Sequence, residues 1–102
     1  MSKAKIDRRG ASGFQVTGDM TFETTRKLLT ESMVLFREVG DMSLDLAQVG
    51  QVDSAGLALL LEWLIRAREK GRKVSLSSVP EPLLAIAHLC QVDTALEALA
   101  EK

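Results

Sequence analysis

The stretch "MSLDLAQVGQVDSAGLALLLEWLIRAREKGRKVSLSSV", residues 42–79, decides the fold. Met42, Leu44 and Leu46 alternate with Ser43 and Asp45, the two-residue period of a half-buried strand. Asp53 and Ser54 are residue types that open helices by accepting an orphan backbone N–H. The apolar segment behind them predicts a helix to Lys70, stopped by Gly71. Val74 and Leu76, with Val79 beyond them, predict a second strand. A strand, a helix and a strand in this order make a right-handed crossover joining two parallel strands.

Working outward, residues 4–9 and 14–18 read as short strands, joined by the turn-rich Gly10-Ala11-Ser12-Gly13 as a hairpin. Thr21 is placed to cap a helix running to about Val39, with Phe22, Leu29, Met33 and Phe36 as its apolar stripe and Gly40-Asp41 as its stop. Pro80-Glu81-Pro82 opens a third helix, to about Cys90, since proline is tolerated in a first turn. Residues 94–100 read as a short terminal helix. The order is β-β-α-β-α-β-α plus a C-terminal tail. This is an α/β chain with one mixed sheet and helices packed mainly on one face.

A chain of 102 residues has room for one hydrophobic core, so 1–102 is expected to be a single domain, with its core over about 6–92 and a tail over 93–102. Thirteen basic against fourteen acidic side chains lack the basic excess of a nucleic-acid or anionic-membrane surface. The single cysteine, Cys90, excludes an internal disulfide and suits a reducing compartment. The charged start MSKAKIDRRG lacks the apolar segment of a signal peptide. The apolar run from Leu57 towards Ile65 is broken by Glu62 and is too short to span a bilayer. A cytoplasmic chain without membrane insertion is expected.

Chemistry is sparse. The chain has neither a Walker-type phosphate loop nor a G-x-G-x-x-G turn after a strand. His88 and Cys90, two positions apart on a helix, point to different sides and make no metal site. His88 reads as a surface histidine and Cys90 as a small apolar filler under the third helix. The carboxylates are scattered, and Ser54 has no base close in sequence. No catalytic residue, metal or cofactor is assigned.

The helix from Asp53 to Lys70 carries the most informative pattern. On a helical wheel, Leu57, Leu60 and Leu64 form the core side, while Glu62, Arg66, Glu69 and Lys70 form the solvent side. Ala55, Ala58 and Leu59 share the solvent azimuth in the preceding turns, and Trp63 lies at its border. Either another part of the chain, such as the tail, covers Leu59 and Trp63, or the helix start is a docking patch. Exposed apolar area rimmed by charge marks interfaces, and tryptophan is enriched in their hot spots. Ser54 likewise has two readings. It is a helix cap, or a displayed hydroxyl whose phosphorylation would be favoured by the helix N-terminus yet would disrupt an apolar contact beside Asp53.

These residues resemble the STAS domain family, the fold shared by anti-sigma-factor antagonists and the cytoplasmic tails of sulfate transporters. The family's Asp-Ser-x-Gly-Leu motif is met by Asp53, Ser54, Gly56 and Leu57. Its upstream Gly-Glu-Leu-Asp-x-x-Thr segment is echoed by Gly18, Asp19, Met20, Thr21 and Thr24, with Thr21 in place of the aspartate. The likeness covers about Ile6 to Val92. Ala55 stands where the antagonists often carry a second serine. The run from Val52 to Leu61, with Gly71, Val74, Leu76, Val79 and Ala87-His88-Leu89, is most similar to the small STAS subunits of Mla-type phospholipid-transport ABC complexes.

That resemblance implies a STAS-like sheet and a non-enzymatic subunit that binds the ABC-type ATPase of a membrane complex with a permease. The subunit supports phospholipid trafficking and outer-membrane lipid asymmetry, and is peripheral to the inner membrane through its partner. It places the hydroxyl contact on Ser54, and Gly18, Asp19 and Met20 near the same edge. Taken with the helical wheel, the contact is expected on Asp53, Ser54, Ala55, Ala58, Leu59 and Trp63, with Glu62 and Arg66 as a charged rim. The alternative is an anti-sigma-factor antagonist regulated by phosphorylation of Ser54. A homodimer of the free protein through the same patch is left open.

Overall fold

The structure, a computed structural model, describes residues 4–37, 39–92, 94 and 96. Its elements are β1 (Lys5–Arg9), β2 (Gly13–Met20), α1 (Thr25–Leu35), β3 (Met42–Val52), α2 (Ser54–Glu69), β4 (Val74–Ser77) and α3 (Glu81–Leu89). They form a mixed four-stranded sheet in the order β1-β2-β3-β4. β1 and β2 are an antiparallel hairpin, while β2–β3 and β3–β4 are parallel.

Alternation divides the sheet into two unlike faces. Ile6, Phe14, Val16, Met42, Leu44, Leu46 and Val74 are buried beneath the helices. Their neighbours Lys5, Asp7, Gln15, Thr17, Ser43, Asp45, Ser75 and Ser77 make a polar face, where the Gln15 amide donates to Asp45 Oδ2 at 3.1 Å. The sequence left the character of this second face open, and the structure assigns it to polar side chains. This is the arrangement in which one sheet face packs and the other meets water.

The long strand β3 extends beyond the expected one. Its alternation fails after Leu46 because the pairing with β2 is irregular between Gln15 and Thr17 and again between Gly18 and Met20. Such irregularities change which side chains face inward. Val49 and Val52 therefore pack against the core three residues apart, out of strand period.

α1 is shorter than the expected 21–39. Thr21–Thr24 form a turn instead, in which Thr24 Oγ1 accepts the Thr21 N–H at 2.9 Å and donates to the Asp19 carbonyl at 2.7 Å. At its other end the Arg72 guanidinium donates to the carbonyls of Phe36, at 2.9 Å, and Arg37, at 3.3 Å. Cations satisfy terminal carbonyls in this way. The expected stripe is also displaced: Phe22 and Met33 are exposed, and Leu28 and Ser32 are buried instead.

α2 ends as its sequence predicts. Gly71 adopts a left-handed φ of 70°, Arg72 N–H reaches the Ala67 carbonyl at 2.8 Å and Gly71 N–H the Arg68 carbonyl at 3.0 Å. This is a Schellman motif. Cys90, expected under α3, is exposed just past the end of that helix. Most of the expected helix over 94–100 lies outside the described residues. Within it, Leu96 is buried and its N–H bonds the Val92 carbonyl at 2.8 Å.

Candidate functional site

The site is the junction where β2 and β3 end and α2 begins. Asp53 organises it, and the expectation that either Asp53 or Ser54 caps the helix resolves to Asp53. Asp53 Oδ1 accepts the backbone N–H groups of Ala55 at 2.9 Å and Gly56 at 3.1 Å. Its Oδ2 accepts the N–H of Phe22 at 3.0 Å, across 31 positions of sequence. Its own N–H donates to the Met20 carbonyl at 3.2 Å. One carboxylate thus caps α2 and pins the loop that leaves β2. Burial by itself would raise the Asp53 pKa, but the N–H groups of Phe22, Gly56 and Ala55 together outweigh it and hold the carboxyl below the ordinary aspartate value.

Gly56 is required by a close approach. A Cβ there would overlap the Met20 carbonyl oxygen and lie 2.8 Å from its carbon and 2.9 Å from the Met20 Cβ. The first turn of α2 therefore rests on the backbone at the end of β2. Gly18 takes a φ of 93°, and Asp19 Oδ1 accepts the Gln51 N–H at 2.8 Å, tying β2 to the end of β3. Met20 is fully buried. Met20 supports the junction from inside, while the half-buried Asp19 lies at its edge.

With Asp53 doing the capping, Ser54 is spared that task. It is exposed, and its hydroxyl makes no hydrogen bond among the described residues. Ala58 is exposed one turn later, and Ala55 and Glu62 are half-buried. Arg66 is exposed and forms an ion pair with Glu62. The expected exposure of Leu59 and Trp63 is corrected: they are 5% and 3% exposed. Cover for Trp63 comes from α1. The Trp63 indole N–H donates to Ser32 Oγ at 2.7 Å, and its ring stands 5.8 Å from Phe36, which lies 4.8 Å from Phe14. Leu59, one turn earlier on the same flank, is buried with it.

The outward face of α2 is broader than expected. Arg66, Glu69 and Lys70 are exposed as the wheel predicts, and a second stripe runs through Ser54, Ala58, the half-buried Leu61 and Ile65, spaced by four, three and four positions, with Ile65 44% exposed. Phe22, at 80% exposure, stands at the head of this stripe with its backbone held by Asp53. The sequence reading had placed Phe22 inside α1's core stripe. The available signal was its position directly after Thr21, ahead of the packed turns of the helix. Around the helix start, a depression is lined by Asp19, Glu23 and Asp53 with Thr21, Gln51 and Pro82.

Among the described residues no group of three or more His, Cys, Asp or Glu side chains is arranged to hold a metal ion, and no helix is long and apolar enough to cross a membrane. What the junction presents is a hydroxyl, small side chains and one aromatic ring on a rigid frame.

These features define a small α/β domain of the STAS type. The chain belongs to the STAS family: the family model described as "Mlab, STAS domain" matches residues 5–100. No curated protein matches the chain. Among solved structures, the chain is similar to the anti-sigma factor antagonist SpoIIAA in its unphosphorylated form. The TM-score is 0.62 at 10% identity, over 88% of this chain and 83% of that one. At that identity the likeness establishes the shared fold.

Proposed function

We propose that this protein is the non-enzymatic, cytoplasmic STAS subunit of an Mla-type phospholipid transporter. It docks on the complex's ABC ATPase and supports its assembly and activity. The observation that carries the reading is the exposed, uncommitted Ser54 hydroxyl at the start of α2, with Phe22 beside it and Ala58, Leu61 and Ile65 below. Together with a family model described as MlaB, this favours a binding surface over a catalytic one. Asp53, Ala55, Glu62 and Arg66 flank the contact. Gly18, Met20, Leu59 and Trp63 support it from beneath, with Asp19 at its edge. In this role the chain is peripheral to the inner membrane through its partner.

The same hydroxyl supports a second reading, an antagonist of an anti-sigma factor switched off by phosphorylation of Ser54. A phosphoryl group there would gain from the helix N-terminus and add about −2 charge beside Asp53 and Phe22. One experiment separates the two: affinity capture from native cells with wild type and Ser54→Glu. Recovery of an ABC ATPase and its permease, weakened by the substitution, supports the transporter subunit. Recovery of a serine kinase or an anti-sigma factor instead refutes it and supports the second reading.

A further inference from the structure

At the C-terminal half of α2, away from Ser54, a groove of about 260 Å³ opens between α1 and α2. Its floor is Leu29, Phe36, Met42 and Trp63, and its rim is Arg37, Arg66, Lys70 and Arg72. Among the described residues no carboxylate lines it. Two of the cations are committed, Arg66 to Glu62 and Arg72 to the carbonyls ending α1. Arg37 and Lys70 are exposed, and their side chains make no hydrogen bond or ion pair among the described residues. The α2 dipole accounts for cations on its own last turn. Arg37 stands likewise at the C-terminal end of α1, so the two helix ends bring two cations to one opening.

We propose that this groove is a binding site for a small amphiphilic carboxylate, with its apolar tail over Phe36 and Trp63 and its carboxylate between Arg37 and Lys70. The chemistry matches on both counts. An apolar floor favours a hydrocarbon tail by removing it from water, and paired cations at the rim favour a carboxylate over a neutral head. The volume falls just under the roughly 300–1,000 Å³ of drug-sized ligand pockets, which selects a short acyl chain. This site borders the docking surface through Arg66 and Trp63, but its ligand chemistry does not depend on that reading.

The protein's single tryptophan lies in the groove floor and reports on it. Decanoate, kept below its micellar concentration, is titrated against Trp63 fluorescence, with decanol, acetate and decyltrimethylammonium in parallel and calorimetry as a second readout. The expected result is saturable binding of decanoate alone. It should weaken at least about tenfold in Arg37→Glu/Lys70→Glu, the loss of one or more charge-assisted contacts. Both substituted side chains are exposed, so the variant's fold is checked by circular dichroism and expected to be intact. No saturable binding, an equal response to decanol, or undiminished binding by the folded variant would overturn the proposal.

Discussion

Replacing Asp53 by alanine removes the acceptor of three backbone N–H groups at once, those of Ala55, Gly56 and Phe22. The lost cap costs about 1 kcal/mol, and the lost tie to Phe22 about 1 kcal/mol more. The expected total of about 2 kcal/mol corresponds to a fall in Tm on the order of 10 °C for a domain of this size. Urea unfolding at neutral pH should show it as a lower midpoint with an unchanged slope. The pH dependence sharpens the test. Burial opposes the shift, but the backbone N–H groups leave the folded Asp53 pKa below its unfolded value. Its stabilisation is therefore fully present above the unfolded pKa, about 3.9, and is lost as pH falls through the lower folded value. The gap between wild type and Asp53→Ala should be constant from pH 7 to 5 and narrow below about pH 4, where a protonated carboxyl keeps only part of its acceptor capacity. Asp53→Asn keeps a capping oxygen but offers only one, so it should lose about 1 kcal/mol. An alanine variant within about 0.5 kcal/mol of wild type, or a gap that persists undiminished in acid, would refute the role given to this carboxylate.

Gly56→Ala gains about 1 kcal/mol of helix propensity yet drives a Cβ into the Met20 carbonyl. Because backbone rather than a flexible side chain is struck, net destabilisation of about 2 kcal/mol is expected, and a melting temperature at or above wild type would contradict the close approach. Trp63→Phe removes the indole donor to Ser32 Oγ while keeping an aromatic ring over Phe36. Ser32 still donates to the Leu29 carbonyl at 2.8 Å, so a loss of about 1–2 kcal/mol is expected by denaturant titration, and no change would remove the hydrogen bond from the account.

The elements legible in the sequence are those written in local chemistry. The α2 boundaries were set by Asp53 at one end and Gly71 at the other, each acting within a few residues of itself. The β1–β2 hairpin and the crossover from β3 to β4 followed from turn residues and from period-two runs. The misread elements were governed by distant partners. The second half of β3 was missed because its pairing with β2 slips twice, erasing the alternation that marks a strand. α1 was drawn too long because Thr24 turns back onto Asp19 and Thr21, and Arg72, 36 positions beyond Phe36, meets its last carbonyls.

The candidate site divides in the same way. The sequence by itself determined that Asp53, Ser54, Gly56 and Leu57 open a helix after a strand, and that this helix is more apolar than one covered face requires. Only the tertiary structure decided which of its apolar residues face outward. α1 packs against the Leu59–Trp63 flank, Ser32 accepts the indole N–H, and the outward face extends to Ser54, Ala58, Leu61 and Ile65. A helical wheel gives the angles between side chains on one helix. The direction in which solvent lies is set by the neighbouring helices, and those packing positions are absent from the helix's own sequence.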